Sequence, residues 1–177
     1  MKLCLVVSWL EKVPLEKHHK IIDVNVNCIM NSTYYALPLL KNTAKSVVIS
    51  MASAAAIHGS PELTAYHASK AAVKSLTQGW SMLFEKFGVH VCGISVGFVD
   101  TPMVIEELEA MKMVKEEVVK ITPEQMAAAV WKAAHSKKMH HTVGTDIKLM
   151  LFLKWLLPQS WFVSVLKMNL YKDAMDN

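Results

Sequence analysis

Hydrophobic positions in the first quarter of the chain repeat at mixed spacings of three and four residues. The repeat starts after Pro14 and predicts one long helix to about Lys41, with Pro38 bending or shortening its end. The run 46–51 follows, and it is short, β-branched and almost wholly apolar, which is typical of a strand buried on both faces. We therefore expect this strand to lie in the centre of a parallel sheet.

A second helix and a second strand follow the loop 52–62. The helix is predicted from 65 to about 87, with Thr64 as its cap and Gly88 in the helix-stop position. The apolar segment 89–96 predicts the next strand. Strand, helix and strand in this order form a βαβ unit, so the sequence predicts an α/β fold with a parallel sheet.

The remainder of the chain alternates further helices with one short strand. We predict helices at about 104–120 and 123–136, a strand near 140–144, and an amphipathic helical tail, 146–177, that is broken at Pro158. No linker, repeat or low-complexity segment divides the 177 residues, so we expect a single domain.

Composition and charge exclude several functional classes. The chain is 53% apolar and 19% charged, as a globular core requires, and its net charge of +4 comes from scattered basic residues. Because no basic stripe is present, we expect no nucleic-acid partner.

The three cysteines lie far apart, which favours a reducing, cytoplasmic compartment. The histidine doublets at 18–19 and 140–141 do not converge on one ion, so no metal site is expected.

Candidate chemistry lies just after the first predicted strand. Tyr66 and Lys70 are four residues apart at the start of a helix, so their side chains share one face. A nearby ammonium stabilises a phenolate, which makes Tyr66 a candidate general acid or base. Ser53 lies at the carboxyl edge of the sheet, where open α/β proteins bind ligands, and could hold a substrate oxygen. A Tyr-x-x-x-Lys pair alone is more often an ordinary helix-surface pair.

The wider pattern resembles the active-site half of the short-chain dehydrogenase/reductase family. Tyr66 follows Ser53 by thirteen residues and leads into Ala68-Ser69-Lys70 and a helix of small residues. Upstream, the sequence around Asn25 resembles the helical asparagine of the family. Downstream, the segment 94–103 resembles the one that contacts the nicotinamide end of the cofactor, with valine at position 96 where proline is usual.

This resemblance implies a fold, a reaction and a set of roles. It implies a partial doubly wound, Rossmann-like sheet, and an NAD- or NADP-dependent oxidoreductase that interconverts a secondary alcohol and a carbonyl on a small apolar substrate. Tyr66 would be the proton donor, Lys70 would bind the nicotinamide ribose and acidify Tyr66, Ser53 would orient the substrate, and Asn25 would organise a water relay to Lys70. The implied cofactor contacts are Tyr66, Lys70, Gly97, Val99 and Thr101.

The amino-terminal part departs from the family pattern. Members begin with a Thr-Gly-x-x-x-Gly-x-Gly turn and an Asn-Asn-Ala-Gly turn, whereas no glycine precedes Gly59 here and only 24 residues precede Asn25. We therefore expect a chain truncated at its amino terminus that binds NAD or NADP weakly. The alternative hypothesis is a catalytically inactive remnant that acts only as an oligomerisation or interaction module. For either, the resemblance implies a homo-oligomer through the helices 14–41 and 65–87.

The tail leaves two alternatives open. Residues 149–170 combine apolar faces with Trp155, Trp161 and interspersed lysines, a pattern that suits a peripheral membrane contact. The apolar run 149–157 is interrupted by Lys154 and closed by Pro158, so it is too short to cross a bilayer. A helical tail that covers the sheet or pairs with a second subunit needs the same pattern. The methionines of the predicted helix after Thr101 leave a similar choice between an adaptable apolar substrate pocket and filler; they are Met103, Met111 and Met113.

Overall fold

A computed structural model describes residues 6–7, 9–102, 104–105, 108, 119 and 121–170. Its strands are β1 (Val47–Met51), β2 (His90–Val96) and β3 (His140–Val143). Its helices are α1 (Leu15–Ile22), α2 (Cys28–Lys41), α3 (Thr64–Phe84), α4 (Pro123–Ala134), α5 (Thr145–Leu156) and α6 (Gln159–Leu170). A π-helical segment, Asp23–Asn27, joins α1 to α2, and short 3-10 turns lie at Leu10–Lys12, Ala54–Ala56, Pro61–Leu63 and Glu85–Phe87.

The three described strands form one parallel sheet in the order β1-β2-β3, which confirms the predicted α/β class. Val47 of β1 lies opposite His90, and Gly93 lies opposite His140 of β3. Helix α3 makes the crossover from β1 to β2, so its first turns lie at the carboxyl end of β1. That end of the sheet carries the candidate site.

Helix α3 packs unusually close to the middle of β2. A Cβ atom at Gly93 would lie 3.2 Å from the Cγ2 atom of Thr77, which is tighter than an ordinary contact. Thr77 is fully buried, and its hydroxyl is satisfied within the helix by donating to the Val73 carbonyl at 2.8 Å. Glycine at 93 thus sets the distance between α3 and the sheet.

Strand β2 is the buried centre of the described sheet. One face packs against α4 through Cys92, Ile94 and Val96, and the other face contributes Val91 to a cluster with Phe84 and Val89. The prediction that the first strand is central and buried on both faces is wrong for the described residues. There β1 pairs only with β2 and has Ser50 as its one buried side chain, because no described strand covers its other edge.

The predicted helices are confirmed in most of their length, with local corrections. Residues 15–41 are helical throughout, but the π-helical segment interrupts the regular repeat, and Pro38 lies inside α2 without ending it. Thr64 is the first residue of α3 and not its cap. Gly88 adopts a φ of 70° and ends the helix as predicted. The predicted helix 104–120 and its methionines lie largely outside the described residues.

The tail forms two helices on either side of Pro158, as predicted. Ile147, Phe162 and Leu166 are buried in a cluster with Ile57 from the loop after β1, so one side of the tail covers that loop. Other apolar side chains of the tail are exposed; they are Leu149, Phe152, Trp155, Leu156, Trp161, Val163, Val165 and Met168. Within the described residues, no helix combines the length and apolarity needed to cross a membrane.

A second exposed apolar surface lies on α2 and the end of α3. Tyr34 and Tyr35 pack edge to face with ring centroids 5.3 Å apart, yet about three quarters of each side chain is exposed. Leu39 of α2 and Met82 and Leu83 of α3 are exposed as well. Large exposed apolar groups of this kind are typical of protein contacts.

We predict that the chain self-associates in solution. Both the edge of β1 that no described strand covers and the exposed face of α2 favour pairing with further protein surface. Size-exclusion chromatography with light scattering will give a mass above that of one chain, and the double variant Tyr34→Ser/Leu39→Ser will reduce it if the helix face is the contact. A monodisperse monomer with a sharp, cooperative melting transition would contradict the prediction.

Candidate active site

Tyr66 and Lys70 lie one turn apart in the first two turns of α3. The Lys70 Nζ atom is 5.6 Å from the centroid of the Tyr66 ring. Only 2% of the Lys70 side chain is exposed, and its ammonium donates a hydrogen bond to the Met51 carbonyl at 3.0 Å. The pair is therefore not the solvated helix-surface pair that the same spacing also allows.

Burial makes the Lys70 ammonium easier to deprotonate. Loss of water around the ammonium lowers the pKa of Lys70 from 10.5 to about 8. The side chain therefore remains largely protonated at pH 7, with a positive charge beside the phenol of Tyr66.

Asn25 reaches the same site from the π-helical segment. Its side-chain amide donates to Ser69 Oγ at 3.1 Å, and the Ser69 hydroxyl donates to the Tyr66 carbonyl at 2.7 Å. Asn25 and Ser69 are both buried, so this chain of two bonds ties the π-helical segment to the turn that carries Tyr66. The widened turn is closed by the Cys28 amide, which donates to the Asp23 carbonyl five residues back.

Ser53 lies two residues beyond Met51, at the carboxyl end of β1. Its Oγ atom accepts a hydrogen bond from the Ala55 amide at 3.1 Å and so caps the turn Ala54–Ala56. A serine hydroxyl that accepts still has its own proton to donate. The side chain is half-buried, and the cap fixes its direction.

The three remaining predicted residues lie in the segment after β2. Val99 forms a parallel bridge with Ile121, which holds this segment against the chain just before α4. The Thr101 hydroxyl accepts from the Val104 amide at 3.4 Å, and the Thr101 carbonyl accepts from the same amide at 3.0 Å. Gly97 is half-buried close to the start of α5. This segment leaves the sheet from β2, next to the end of β1.

Two partners in the site were not predicted from the sequence. Ser69 was noted only as part of a motif, although a serine that bonds the carbonyl three residues back is a known helix pattern. The Met51 carbonyl could not be found from side-chain types.

His67, which has no role in the resemblance, is buried, and its Nδ1 atom bonds the His58 carbonyl at 2.5 Å. Desolvation lowers the pKa of His67.

Residues 6–112, more than half of the chain, match the family model described as short chain dehydrogenase. The chain belongs to the short-chain dehydrogenase family. Its candidate residues Asn25, Ser53, Tyr66 and Lys70 all lie inside the matched region.

Curated relatives cover different parts of the chain. A cyclohexanol dehydrogenase from an Acinetobacter species is 28% identical over 109 residues, which are 62% of this chain and 43% of that enzyme. A D-beta-hydroxybutyrate dehydrogenase from Rhizobium meliloti is 29% identical over 147 residues, which are 83% of this chain and 55% of that enzyme. The chain thus spans about half the length of these relatives.

Solved structures share the fold. A short chain dehydrogenase from Burkholderia cenocepacia in complex with NADP has a TM-score of 0.78 at 21% identity, covering 94% of this chain and 66% of that one. A 7beta-hydroxysteroid dehydrogenase has a TM-score of 0.73 at 20% identity, covering 93% of this chain and 63% of that one. A 4-hydroxyisoleucine dehydrogenase complexed with NADH has a TM-score of 0.63 at 21% identity, covering 78% of this chain and 63% of that one. The Rossmann-like architecture is therefore confirmed.

We predict that Lys70 makes the fold less stable at neutral pH. A lysine pKa of about 8 in the folded chain, against 10.5 when unfolded, lowers the free energy of unfolding below pH 8 by up to about 3 kcal/mol. Lys70→Met removes this penalty and the bond to the Met51 carbonyl, which is worth about 1 kcal/mol, so the free energy of unfolding at pH 7 will rise by about 2 kcal/mol.

Urea unfolding at several pH values checks this. In the original chain the free energy of unfolding will rise from pH 8 towards pH 10.5, because the unfolded chain binds the proton that folded Lys70 has lost. This rise will be clearly smaller in Lys70→Met, where only the lowered pKa of Lys154 still contributes to it, and it will be retained in the control Lys74→Met, one turn further along α3. A Lys70→Met chain that is less stable at pH 7 would refute the prediction.

Proposed function

We propose that this chain carries the proton-transfer site of an NAD- or NADP-dependent oxidoreductase that interconverts a secondary alcohol and a carbonyl group on an apolar substrate. The observation that carries the proposal is the buried Lys70 ammonium, 5.6 Å from the centroid of the Tyr66 ring. Membership of the short-chain dehydrogenase family supports the same chemistry.

In the reducing direction, Tyr66 gives its phenolic proton to the carbonyl oxygen of the substrate. The positive charge of Lys70 stabilises the phenolate that remains and so favours release of the proton. In the oxidising direction the phenolate takes the proton back from the alcohol. The Ser53 hydroxyl donates a hydrogen bond to the same substrate oxygen and fixes its position beside Tyr66.

Asn25 acts as a positioning residue in this proposal. Its amide bonds Ser69, whose hydroxyl bonds the Tyr66 carbonyl, so Asn25 fixes the turn of α3 that presents the phenol. The resemblance to the family further implies a water relay from Asn25 to Lys70, which would return the proton to Tyr66 after each turnover.

The residues present suit one end of the cofactor. Lys70 and Tyr66 offer hydrogen-bond donors at the carboxyl end of β1, and the segment with Gly97, Val99 and Thr101 starts at the adjacent end of β2. NAD or NADP, when bound there, supplies or accepts the hydride. The sequence offers no comparable residues for the pyrophosphate end of the cofactor, because no glycine before Gly59 is available for a Gly-rich turn.

An apolar substrate is favoured by the relatives and not by a described pocket. Two of them are named for cyclohexanol and for a hydroxysteroid, both secondary alcohols on largely apolar rings. The methionines that the sequence suggests for a substrate pocket lie outside the described residues. Cyclohexanol and cyclohexanone are therefore the first substrates to test.

The test compares the chain alone with a fusion that places a Gly-rich nucleotide-binding segment of a family member before it. Calorimetry will give an NADPH dissociation constant of about 1 mM or weaker for the chain alone, because the backbone cradle for pyrophosphate is absent from its sequence. In an active fusion, Tyr66→Phe will lower turnover by about 10²- to 10⁴-fold without loss of folding.

Tyr34→Phe is the matched control, since Tyr34 is an exposed tyrosine on α2 outside the site. It will leave turnover unchanged. Near-full activity of Tyr66→Phe would remove Tyr66 from its role. An inactive fusion that binds NADPH tightly would instead favour the alternative of a non-catalytic oligomerisation or interaction module, which the exposed apolar face of α2 supports.

A second part of the proposal concerns location. We infer a cytoplasmic protein with a peripheral membrane contact through residues 149–170. The exposed aromatic side chains Phe152, Trp155 and Trp161 support the membrane contact. Exposed Lys148 and Lys167 add attraction to anionic lipid. Lys154 does not extend away from the protein in this way, because its ammonium bonds the Ile57 carbonyl.

Flotation with anionic liposomes tests the membrane contact. The full chain will float at low salt, and the double variant Trp155→Ser/Trp161→Ser will remain in the soluble fraction because it loses the two largest exposed anchors. Trp131→Ser, which removes an exposed tryptophan from α4, is the control and will float like the original chain. Equal flotation of all three proteins would exclude the contact.

A further inference from the structure

We propose a second binding site in this chain, separate from Tyr66 and Lys70, for a small amphiphilic anion such as a medium-chain carboxylate. The site is a cavity of about 530 Å³ between the loop after β1, the first turns of α3, the end of α5 and the start of α6. This volume lies within the range of small-molecule sites in proteins. Neither Tyr66 nor Lys70 lines the cavity.

One lysine and two histidines line the cavity, and no Asp or Glu is among its described lining residues. Lys154 reaches from α5 to the loop, where its ammonium bonds the Ile57 carbonyl and retains two further N–H donors. His58 and His67 face each other with ring centroids 5.0 Å apart. Their backbone and ring bonds hold this part of the loop against α3.

Two helices begin at the cavity wall. Thr64 is the first residue of α3 and Gln159 is the first residue of α6, and both line the cavity. The first turn of a helix has N–H groups without intrahelical partners and a partial positive charge. Together with the Lys154 ammonium, these termini give the cavity a positive potential that favours an anion.

Most of the remaining wall is apolar. Ala68 and Ala71 leave space along α3, and Leu157, Phe162 and Val163 close the opposite side. A free phosphate or a nucleotide would leave this surface unused, whereas a carboxylate with an alkyl chain fills both parts. The combination of one positive end and apolar walls therefore points to an amphiphilic anion and not to a purely polar one.

Calorimetry on the full chain, with probes below their micelle concentration and without vesicles, tests the ligand class. Decanoate will bind with a dissociation constant in the range of about 10–100 µM. Decanol, which has the same chain without the charge, will bind at least about tenfold more weakly, as will inorganic phosphate. Trp155→Ser/Trp161→Ser will bind decanoate as the original chain does, because neither tryptophan lines the cavity, which distinguishes the cavity from the exposed face of the tail.

Matched variants locate the site. Lys154→Met will weaken decanoate binding by about tenfold and Lys154→Arg will restore it, whereas Lys148→Met, on the same helix, will leave it within about twofold. Ala71→Leu will fill the cavity and abolish binding. Ser75→Leu, one turn further on the exposed side of α3, lies outside the cavity lining and will have no effect.

Equal affinity for decanoate and decanol, or equal losses in Lys154→Met and Lys148→Met, would overturn the proposal. So would unchanged binding in a folded Ala71→Leu chain. Because this last variant keeps every charged group, it remains decisive if Lys154→Met fails to fold. None of these measurements involves NADPH or turnover, so they can fail without affecting the proposed redox function.

Discussion

Burial of the Lys70 ammonium constrains the whole region around the candidate active site. A charged group taken out of water is stable only where fixed acceptors replace its hydration, and the Met51 carbonyl is one of them. That carbonyl is in place only if β1 ends at Met51 and α3 crosses directly over it. The crossing in turn depends on the close approach of Thr77 to the sheet at Gly93.

The same constraint explains why burial of Lys70 without a neutralising carboxylate suits the proposed proton transfer. A carboxylate beside Lys70 would stabilise the fold, but it would also cancel the positive field that a phenolate at Tyr66 requires. A backbone carbonyl satisfies one hydrogen of the ammonium and leaves its net charge intact. Among the described residues no carboxylate shifts the pKa of Lys70, so burial leaves the cation beside the phenol at the expense of stability.

Features that depend on local spacing could be predicted from the sequence. The pairing of Tyr66 with Lys70 follows from their separation of four residues, and the α/β class follows from the alternation of strand and helix patterns. Features that depend on distant parts of the chain could not. The apolar sequence of β1 indicates that this strand is stable when both of its faces are covered. It does not indicate which neighbouring strands and helices cover them.

The hydrogen bond from Asn25 to Ser69 joins residues 44 positions apart, so it cannot be predicted from local sequence spacing. The cavity beside the loop after β1 is likewise formed by segments that meet only after folding, since Lys154 and Ile57 are 97 positions apart. Tyr35 fits the apolar spacing of its helix and is nevertheless exposed, because that spacing changes phase within the segment.

The π-helical segment is the origin of this change of phase. On an unbroken α-helix, Ile21 and Thr33 would point about 120° apart, because each residue turns the helix by about 100°. One extra residue in the wide turn reduces the difference to about 20°, so both side chains are buried on the same side of the rod. An alignment of residues 15–41 with a regular helix would therefore misplace the buried side of α2 by more than a quarter of a turn. Any graft or redesign of residues 15–41 has to preserve that single-residue offset.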